Sequence, residues 1–211
     1  MAADDLVLLG GGGHAKVVLD LVRAAGSFSV IGCLDPRERG DILGVPIIGG
    51  DDLLPDLLRR GVRHAFVALG ANGARRTVTR HVRELGFVVP AIVSPDAVVS
   101  PSASVAPGAV VMAGVTINAQ AVVAEGAIVN TNASVDHDCV VGPFAHCAPG
   151  THLAGNVVVE EGAFLGVGAC VIPGTRIGAW SVVGAGAVVV EDIPPGVTAV
   201  GVPARVLSRV P

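Results

Sequence analysis

Residues 103–129 read ASVAPGAVVMAGVTINAQAVVAEGAIV, and their side chains repeat every six residues. One aliphatic residue marks each repeat: Val105, Val111, Ile117, Val123 and Val129. The residue two places earlier is usually small, and the one before that is often Gly, Asn or Asp. A chain that turns a corner every six residues explains this pattern, because the aliphatic residue fills the interior, the small one fits the corner and the third accepts a positive φ angle.

The same register continues without a slip from Val93 to Val189. Three such repeats make one coil of 18 residues, and stacked coils form a continuous core. The sequence therefore predicts an all-β domain over residues 91–211, a left-handed parallel β-helix of about five to six coils with a C-terminal tail.

The first 90 residues follow a different pattern. Apolar runs at 5–9, 28–34 and 65–69 alternate with segments of helical periodicity, so we predict an α/β domain over residues 1–90, a Rossmann-like βαβαβ unit with a parallel sheet.

The first apolar run ends in GGGGHA at residues 10–15. The spacing of Gly10, Gly12 and Ala15 matches a dinucleotide fingerprint, and Asp35 stands where the fingerprint places an acid that binds ribose. A glycine-rich turn that binds nothing is the structural alternative. Since about 90 residues supply half of a dinucleotide fold, a mononucleotide or nucleotide-sugar is favoured over NAD.

Composition excludes several classes of function. The 211 residues carry a net charge of −4, and Lys16 is the single lysine, which argues against nucleic acid as a partner. The four cysteines form no CxxC pair and lie in apolar runs, as buried free thiols do in a reducing compartment. No apolar stretch reaches the roughly 18 residues of a membrane span and no basic signal region is present, so we expect a cytoplasmic protein.

Polar residues interrupt the repeat between Asn130 and Asn156. Asp136-His137-Asp138 places an imidazole between two carboxylates, which suits a general base because a carboxylate on one ring nitrogen raises the basicity of the other. A solvated turn collects the same side chains. Three histidines in 16 residues also resemble the zinc-binding carbonic anhydrases that share this solenoid, but their close pair of histidines four residues apart is absent, so we expect no metal.

The spacing of His137 and His146 has a further consequence. In coils of 18 residues these two lie half a coil apart and project from different sides of one solenoid. A site that uses both must lie between subunits, most simply in a homotrimer.

Several motifs together resemble the sugar acetyltransferases that include the sialic acid O-acetyltransferases and the bacterial N-acetyltransferases of nucleotide-linked 4-amino-6-deoxy sugars, of the bacillosamine and perosamine type. The motifs are GGGGHAKVV at 10–18, ALGAN at 68–72, Asn130-Thr131, DHDC at 136–139, GPFAHCAPGTHLAGN at 142–156 and GVPAR at 201–205. The resemblance covers nearly the whole chain.

The resemblance implies roles for residues in the solenoid. His137 would accept a proton and Asp138 would set its basicity, while Asn130 would line the substrate pocket. The implied acetyl-CoA contacts are His146, Gly155, Val167 and Ala185.

The resemblance also implies roles in the first domain. Gly12, Gly13 and His14 would hold the phosphates of a nucleotide-sugar, Asp35 would contact the nucleotide and Gly70 would close the pocket.

The function favoured by the sequence is acetyl transfer from acetyl-CoA to the C4 amine of a nucleotide-activated 4-amino-6-deoxy sugar. The attack would be direct, with His137 as general base. One alternative is O-acetylation of a sialic-type sugar. The other is a non-catalytic binding or scaffold solenoid, disfavoured by the Asp-His-Asp insertion and by GVPAR, for which no packing role is expected.

Overall fold

The computed structural model describes residues 3–37 and 39–209 of the chain. The chain divides into two compact units, residues 1–95 and 96–211.

The first unit is built on a five-stranded sheet with helices between its strands. Its elements are β1 (Asp4–Leu9), α1 (Gly13–Ala25), β2 (Phe28–Leu34), β3 (Asp41–Ile42), β4 (Val45–Gly49), a 3-10 turn (Asp51–Leu53), α2 (Leu54–Arg59), β5 (His64–Val67) and α3 (Asn72–Glu84). The strand order is β3-β4-β2-β1-β5, and only β3 runs antiparallel to its neighbour. The predicted parallel α/β domain is confirmed, and β3 and β4 extend it.

The order of these strands predicts where a ligand binds to the sheet. From β1 the chain moves to β2 and β4 on one side, and then crosses to β5 on the other side. The carboxyl ends of β1 and β5 therefore flank a topological switch point, where open α/β sheets bind ligands. The glycines at 10–13 follow β1, and Gly70 follows β5.

The second unit is made of two-residue strands that repeat every six residues. After β6 (Ile92–Val93) they are β7 (Val98–Val99), β8 (Ser104–Val105), β9 (Val110–Val111), β10 (Thr116–Ile117), β11 (Val122–Val123), β12 (Ile128–Val129), β13 (Ser134–Val135), β14 (Val140–Val141), β15 (His146–Cys147), β16 (His152–Leu153), β17 (Val158–Val159), β18 (Phe164–Leu165), β19 (Cys170–Val171), β20 (Arg176–Ile177), β21 (Val182–Val183) and β22 (Val188–Val189).

Each strand pairs in parallel with the strand 18 residues further on, as Ser134 does with His152. Three sheets result, with the orders β22-β19-β16-β13-β10-β7, β20-β17-β14-β11-β8 and β21-β18-β15-β12-β9. The second residue of each strand points inward, and these residues are buried from Val111 to Val189. The predicted parallel β-helix is confirmed.

The corners also follow the sequence pattern. Positive φ angles occur at Gly108, Gly114, Gly126, Asn132, Gly150, Gly162, Gly168, Gly174 and Gly186, as predicted, and also at Gln120, Asp138, Phe144, Asn156 and Trp180. Two of these corners hold aromatic rings. A side chain on Gly126 would lie 2.3 Å from the Phe144 ring, and one on Gly162 would lie 2.4 Å from the Trp180 ring, so each bulky corner residue lies over a glycine of the coil before.

The chain ends in β23 (Val197–Val200) and β24 (Arg205–Arg209), which pair antiparallel. GVPAR forms the reversal between them. Ala204 is buried, and its N–H donates to the Val188 carbonyl over 2.8 Å. The expectation that GVPAR has no packing role is therefore wrong, because it closes the end of the solenoid.

All four cysteines are free thiols, and three of them are buried: Cys33, Cys139 and Cys147. Burial raises the pKa of the Cys147 thiol to about 12, which is typical of a packing residue and not of a nucleophile. Within the described chain, no helix combines the length and apolar character needed to cross a bilayer.

Candidate active site

His137 lies at the corner between β13 and β14. Its Nδ1 is 2.8 Å from Oδ2 of Asp138, whose φ of 58° turns the carboxylate back toward the ring. Asp136 does not contact the imidazole. Its Oδ1 instead accepts the backbone N–H of His137 over 2.7 Å and the Asn118 amide over 2.9 Å. One carboxylate therefore orients the ring and the other fixes the backbone beneath it.

This contact sets the tautomer of His137. An ionised carboxylate can only accept hydrogen bonds, so Nδ1 carries the proton and Nε2 keeps its lone pair. The hydrogen bond that Nδ1–H donates to Asp138 is the main cause that raises the pKa of His137, and the charges of Asp136 and Asp138 add to it. The side chains of His137 and Asp138 are 54% and 44% exposed, so the base is open to an incoming molecule.

Gly155 lies one coil beyond His137, directly against the ring. A Cβ on Gly155 would come within 2.5 Å of both Cε1 and Nε2 of His137. The Gly155 carbonyl accepts the Gly174 N–H, whereas the N–H of Gly155 makes no hydrogen bond with the residues that the structure describes. Gly155 thus leaves room for the ring and presents a backbone donor close to it.

Asn130 and His146 form a second group, at the preceding corner. Asn130 Oδ1 accepts the Thr131 N–H over 2.8 Å, so its Nδ2 faces Nε2 of His146 at 3.1 Å and donates to it. Neutral His146 then carries its proton on Nδ1. His146 is only 8% exposed, and its ring packs edge-to-face with the ring of Phe164 at a centroid distance of 5.2 Å.

Val167 and Ala185 occupy the same side of the solenoid on neighbouring coils. The Val167 carbonyl accepts the Gly186 N–H over 2.8 Å, and the Val167 side chain is 57% exposed. Each of these residues follows a strand of the sheet that contains β15. Both therefore lie along the same corner of the solenoid as Asn130 and His146. His137, Asp138 and Gly155 lie at the next corner along the chain.

The glycine loop of the first unit leaves the start of α1 open. Gly10 has a φ of 124°, and a Cβ there would lie 2.8 Å from the Ala68 carbonyl oxygen, so the turn requires glycine. Gly12 is the N-cap of α1, no side chain caps this helix, and a Cβ on Gly12 or Gly13 would meet nothing within 4 Å. Unsatisfied N–H groups at such a helix start attract phosphate.

Asp35 ties this loop to the end of β2. Its Oδ2 accepts the Gly11 N–H over 2.8 Å and its Oδ1 accepts the Arg37 N–H over 2.9 Å. In the structure the Asp35 carboxylate therefore links the glycine loop to the segment after β2, and its contact with a nucleotide stays a prediction.

His14 follows the glycines and is mostly buried. Burial, with a contribution from Arg75, lowers the pKa of His14 to about 4, so the imidazole is neutral near pH 7. Its Nε2 is buried and finds no hydrogen-bond partner among residues 3–37 and 39–209. A neutral imidazole at this place can donate to a ligand oxygen without carrying charge.

Arg75 was not singled out from the sequence. It lies on α3, is 2% exposed, and donates to the carbonyls of Leu69 and Gly70 and to Oδ1 of Asn72 over 2.9–3.0 Å. Burial lowers its pKa to about 10, so it remains charged. Arg75 shapes the loop that follows β5. No sequence signal marked it, because an arginine on a polar helix is ordinarily a surface residue.

His152 is the third histidine of the polar segment. His152 contacts Ser134, with Nδ1 and Oγ 2.8 Å apart, away from both groups. The described part of the chain contains no cluster of three or more His, Cys, Asp or Glu side chains suited to a metal ion.

Known proteins resemble the chain over both units. Residues 5–82 match the family model of the PglD N-terminal domain. The crystal structure of PerB from Caulobacter crescentus, in complex with CoA and GDP-perosamine, is 48% identical, with 97% of each chain covered and a TM-score of 0.93. The acetyltransferase domain of PglB from Neisseria gonorrhoeae FA1090, in complex with acetyl coenzyme A, is 44% identical, with 97% of this chain and 100% of that chain covered and a TM-score of 0.93.

Curated relatives match only a short piece of the chain. The galactoside O-acetyltransferase of Escherichia coli is 55% identical over 38 residues, which are 18% of this chain and 19% of that protein. The chain thus matches about a fifth of the length of such relatives.

Proposed function

Because the chain belongs to the family of PglD-type hexapeptide-repeat sugar acetyltransferases, we propose that it transfers an acetyl group from acetyl-CoA to the C4 amine of a nucleotide-linked 4-amino-6-deoxy sugar. The observation that carries the proposal is the His137–Asp138 pair, whose Nε2 lies at Gly155 with a free lone pair. Two similar structures hold CoA or acetyl-CoA, and one of these also holds GDP-perosamine.

The chemistry needs one base and one oxyanion donor. The sugar amine attacks the thioester carbonyl carbon, and Nε2 of His137 takes a proton from the nitrogen as the C–N bond forms. The Gly155 N–H is a candidate donor to the resulting oxyanion. Collapse of this intermediate breaks the C–S bond, and the CoA thiolate recovers the proton from His137. The products are the amide and free CoA.

The remaining site residues bind the two substrates in this proposal. The open start of α1 at Gly12 and Gly13, with neutral His14 beside it, receives the diphosphate. Asp35 and Gly70 border the nucleotide. Val167 and Ala185 present main-chain groups to the pantetheine arm, on the side of the solenoid that holds the Asn130 and His146 pair.

The division of these residues between two corners supports an assembly with shared sites. His137 and His146 lie on different sides of the solenoid, so in the proposed homotrimer one subunit supplies the base and its neighbour supplies His146. We expect that His137→Ala and His146→Ala variants, each strongly impaired alone, regain part of the activity when they are unfolded and reassembled together. Sedimentation equilibrium gives the mass of the assembly. A monomeric enzyme, or no recovery from an assembled mixture, contradicts the shared site.

The pH dependence follows from the state of His137. The base must be neutral, so kcat/KM falls as the pH drops through its pKa, which Asp138 raises above the ordinary histidine value. Asp138→Asn removes that effect, so we expect the acid limb of the pH profile of kcat/KM to move to lower pH. The plateau value of kcat/KM should fall by about tenfold, because the ring loses its orientation. Asp136→Asn, which changes a carboxylate without direct ring contact, should move the limb less. An unshifted limb in Asp138→Asn would exclude Asp138 from this role.

A thiol-release assay tests the proposed reaction. The enzyme is supplied with acetyl-CoA and a panel of UDP-, GDP- and dTDP-linked 4-amino-6-deoxy sugars, with free sialic acid alongside. We expect rapid release with an amino sugar and an amide product by mass spectrometry. Release with sialic acid alone would indicate O-acetylation, and no release across the panel would favour a binding solenoid.

A further inference from the structure

A small cavity lies beside the glycine loop, at the carboxyl edge of the sheet. Its volume is ≈ 190 Å³, and it borders Gly10 and the end of β2. Its walls are mainly apolar and include Leu34, Leu69 and Val78. A flat aromatic heterocycle fits such walls, and the cavity lies where a nucleoside must extend if its phosphates bind at α1.

Asp51 brings a carboxylate to this apolar cavity. It begins the 3-10 turn after β4, and its side chain is half-buried. Asp35 also lines the cavity, but both of its oxygens already accept backbone N–H groups. Asp51, in contrast, makes no side-chain hydrogen bond or ion pair with the residues that the structure describes.

The surroundings of Asp51 favour a ligand that donates hydrogen bonds. Burial, together with the charges of Asp35 and Asp52, raises the pKa of its carboxyl group, while His81 acts in the opposite direction. Burial and like charges disfavour the ionised carboxylate, and hydrogen bonds from neutral N–H donors of a ligand would stabilise it.

We propose that Asp51 recognises the nucleobase of the sugar nucleotide and selects guanine; this inference rests on the proposed function. Guanine is the one common base that presents two adjacent donors, N1–H and the 2-amino group, to the two oxygens of a carboxylate. Uracil and thymine flank their single N–H with two carbonyl oxygens, which a carboxylate repels. Adenine and cytosine place a ring acceptor beside their amino group.

The test measures nucleotide binding apart from catalysis. Isothermal titration of the full chain with GDP, ADP, UDP and dTDP should give GDP the lowest Kd, by at least about tenfold, the effect expected of a matched pair of hydrogen bonds. In Asp51→Asn this advantage should fall to less than about threefold, because the new amide donates where guanine also donates. Asp52→Asn removes the same charge from the exposed neighbouring residue, and it should keep the preference.

The outcomes separate this inference from the proposed reaction. Guanine-selective binding that depends on Asp51 supports base recognition, whether or not a GDP-linked amino sugar is acetylated. If such binding is found but no GDP-linked amino sugar is acetylated, the proposed reaction is wrong and the role of Asp51 stands. Acetylation of a UDP- or dTDP-linked sugar, with no preference for GDP, overturns the role of Asp51 and leaves the reaction standing. An equal loss of affinity for all four nucleotides in Asp51→Asn also overturns it.

Discussion

Replacing His137 with alanine should lower kcat by about 10²–10⁴-fold, the range expected when a positioned general base is lost. Nε2 of His137 is the basic atom that the corner presents, since Asp138 holds the proton on Nδ1 at 2.8 Å. The KM for acetyl-CoA should change little, because three of the four proposed coenzyme contacts, His146, Val167 and Ala185, lie at another corner and the variant leaves the fourth, Gly155, unchanged. Steady-state kinetics with a saturating sugar nucleotide measure both constants.

His152→Ala is the matched control for this variant. His152 is exposed, lies on the next strand of the same sheet as β13 and pairs with Ser134, so its loss removes an imidazole without touching the proposed base. Turnover of His152→Ala should stay near that of the unchanged enzyme. If His137→Ala also retained full turnover, another group would have to accept the proton of the sugar amine, and the proposed mechanism would be wrong.

The solenoid was predictable because one periodicity fixes both its local and its long-range structure. A six-residue repeat places each corner, and three repeats bring residue i beside residue i+18, as with Ser134 and His152. The prediction for the first unit was less complete, because it did not include strands β3 and β4. Strand β4 escaped prediction because its five residues include Pro46 and end at Gly49, so they do not alternate like a strand.

The same rule of 18 residues accounts for part of the site. Asn118 and Asp136 differ by one coil and are hydrogen-bonded, and His137 and Gly155 differ by one coil and are in contact. Both pairs could have been found from spacing alone. Arg75 could not, because its burial depends on how the loop after β5 turns its carbonyl groups toward α3.

Gly155→Ala should lower kcat by about 10²-fold, the loss that a displacement of roughly 1 Å can cause at a reacting group. The added Cβ would come within 2.5 Å of the His137 ring, so the ring must rotate away from Asp138. Alanine keeps the backbone N–H, which separates the position of the base from the proposed oxyanion donor. Gly155 does not have a positive φ angle, so alanine adds no backbone strain at that position.

A double-mutant cycle decides whether Gly155 acts through His137. If it does, adding Gly155→Ala to His137→Ala should cost little more activity, because the ring that the methyl group displaces is already gone. A second loss of about 10²-fold in the double variant would mean that Gly155 serves the oxyanion or the coenzyme instead. The pH profile gives an independent measure, since a ring moved away from Asp138 loses the hydrogen bond that raises its pKa. The acid limb of Gly155→Ala should therefore move to lower pH, in the same direction as that of Asp138→Asn.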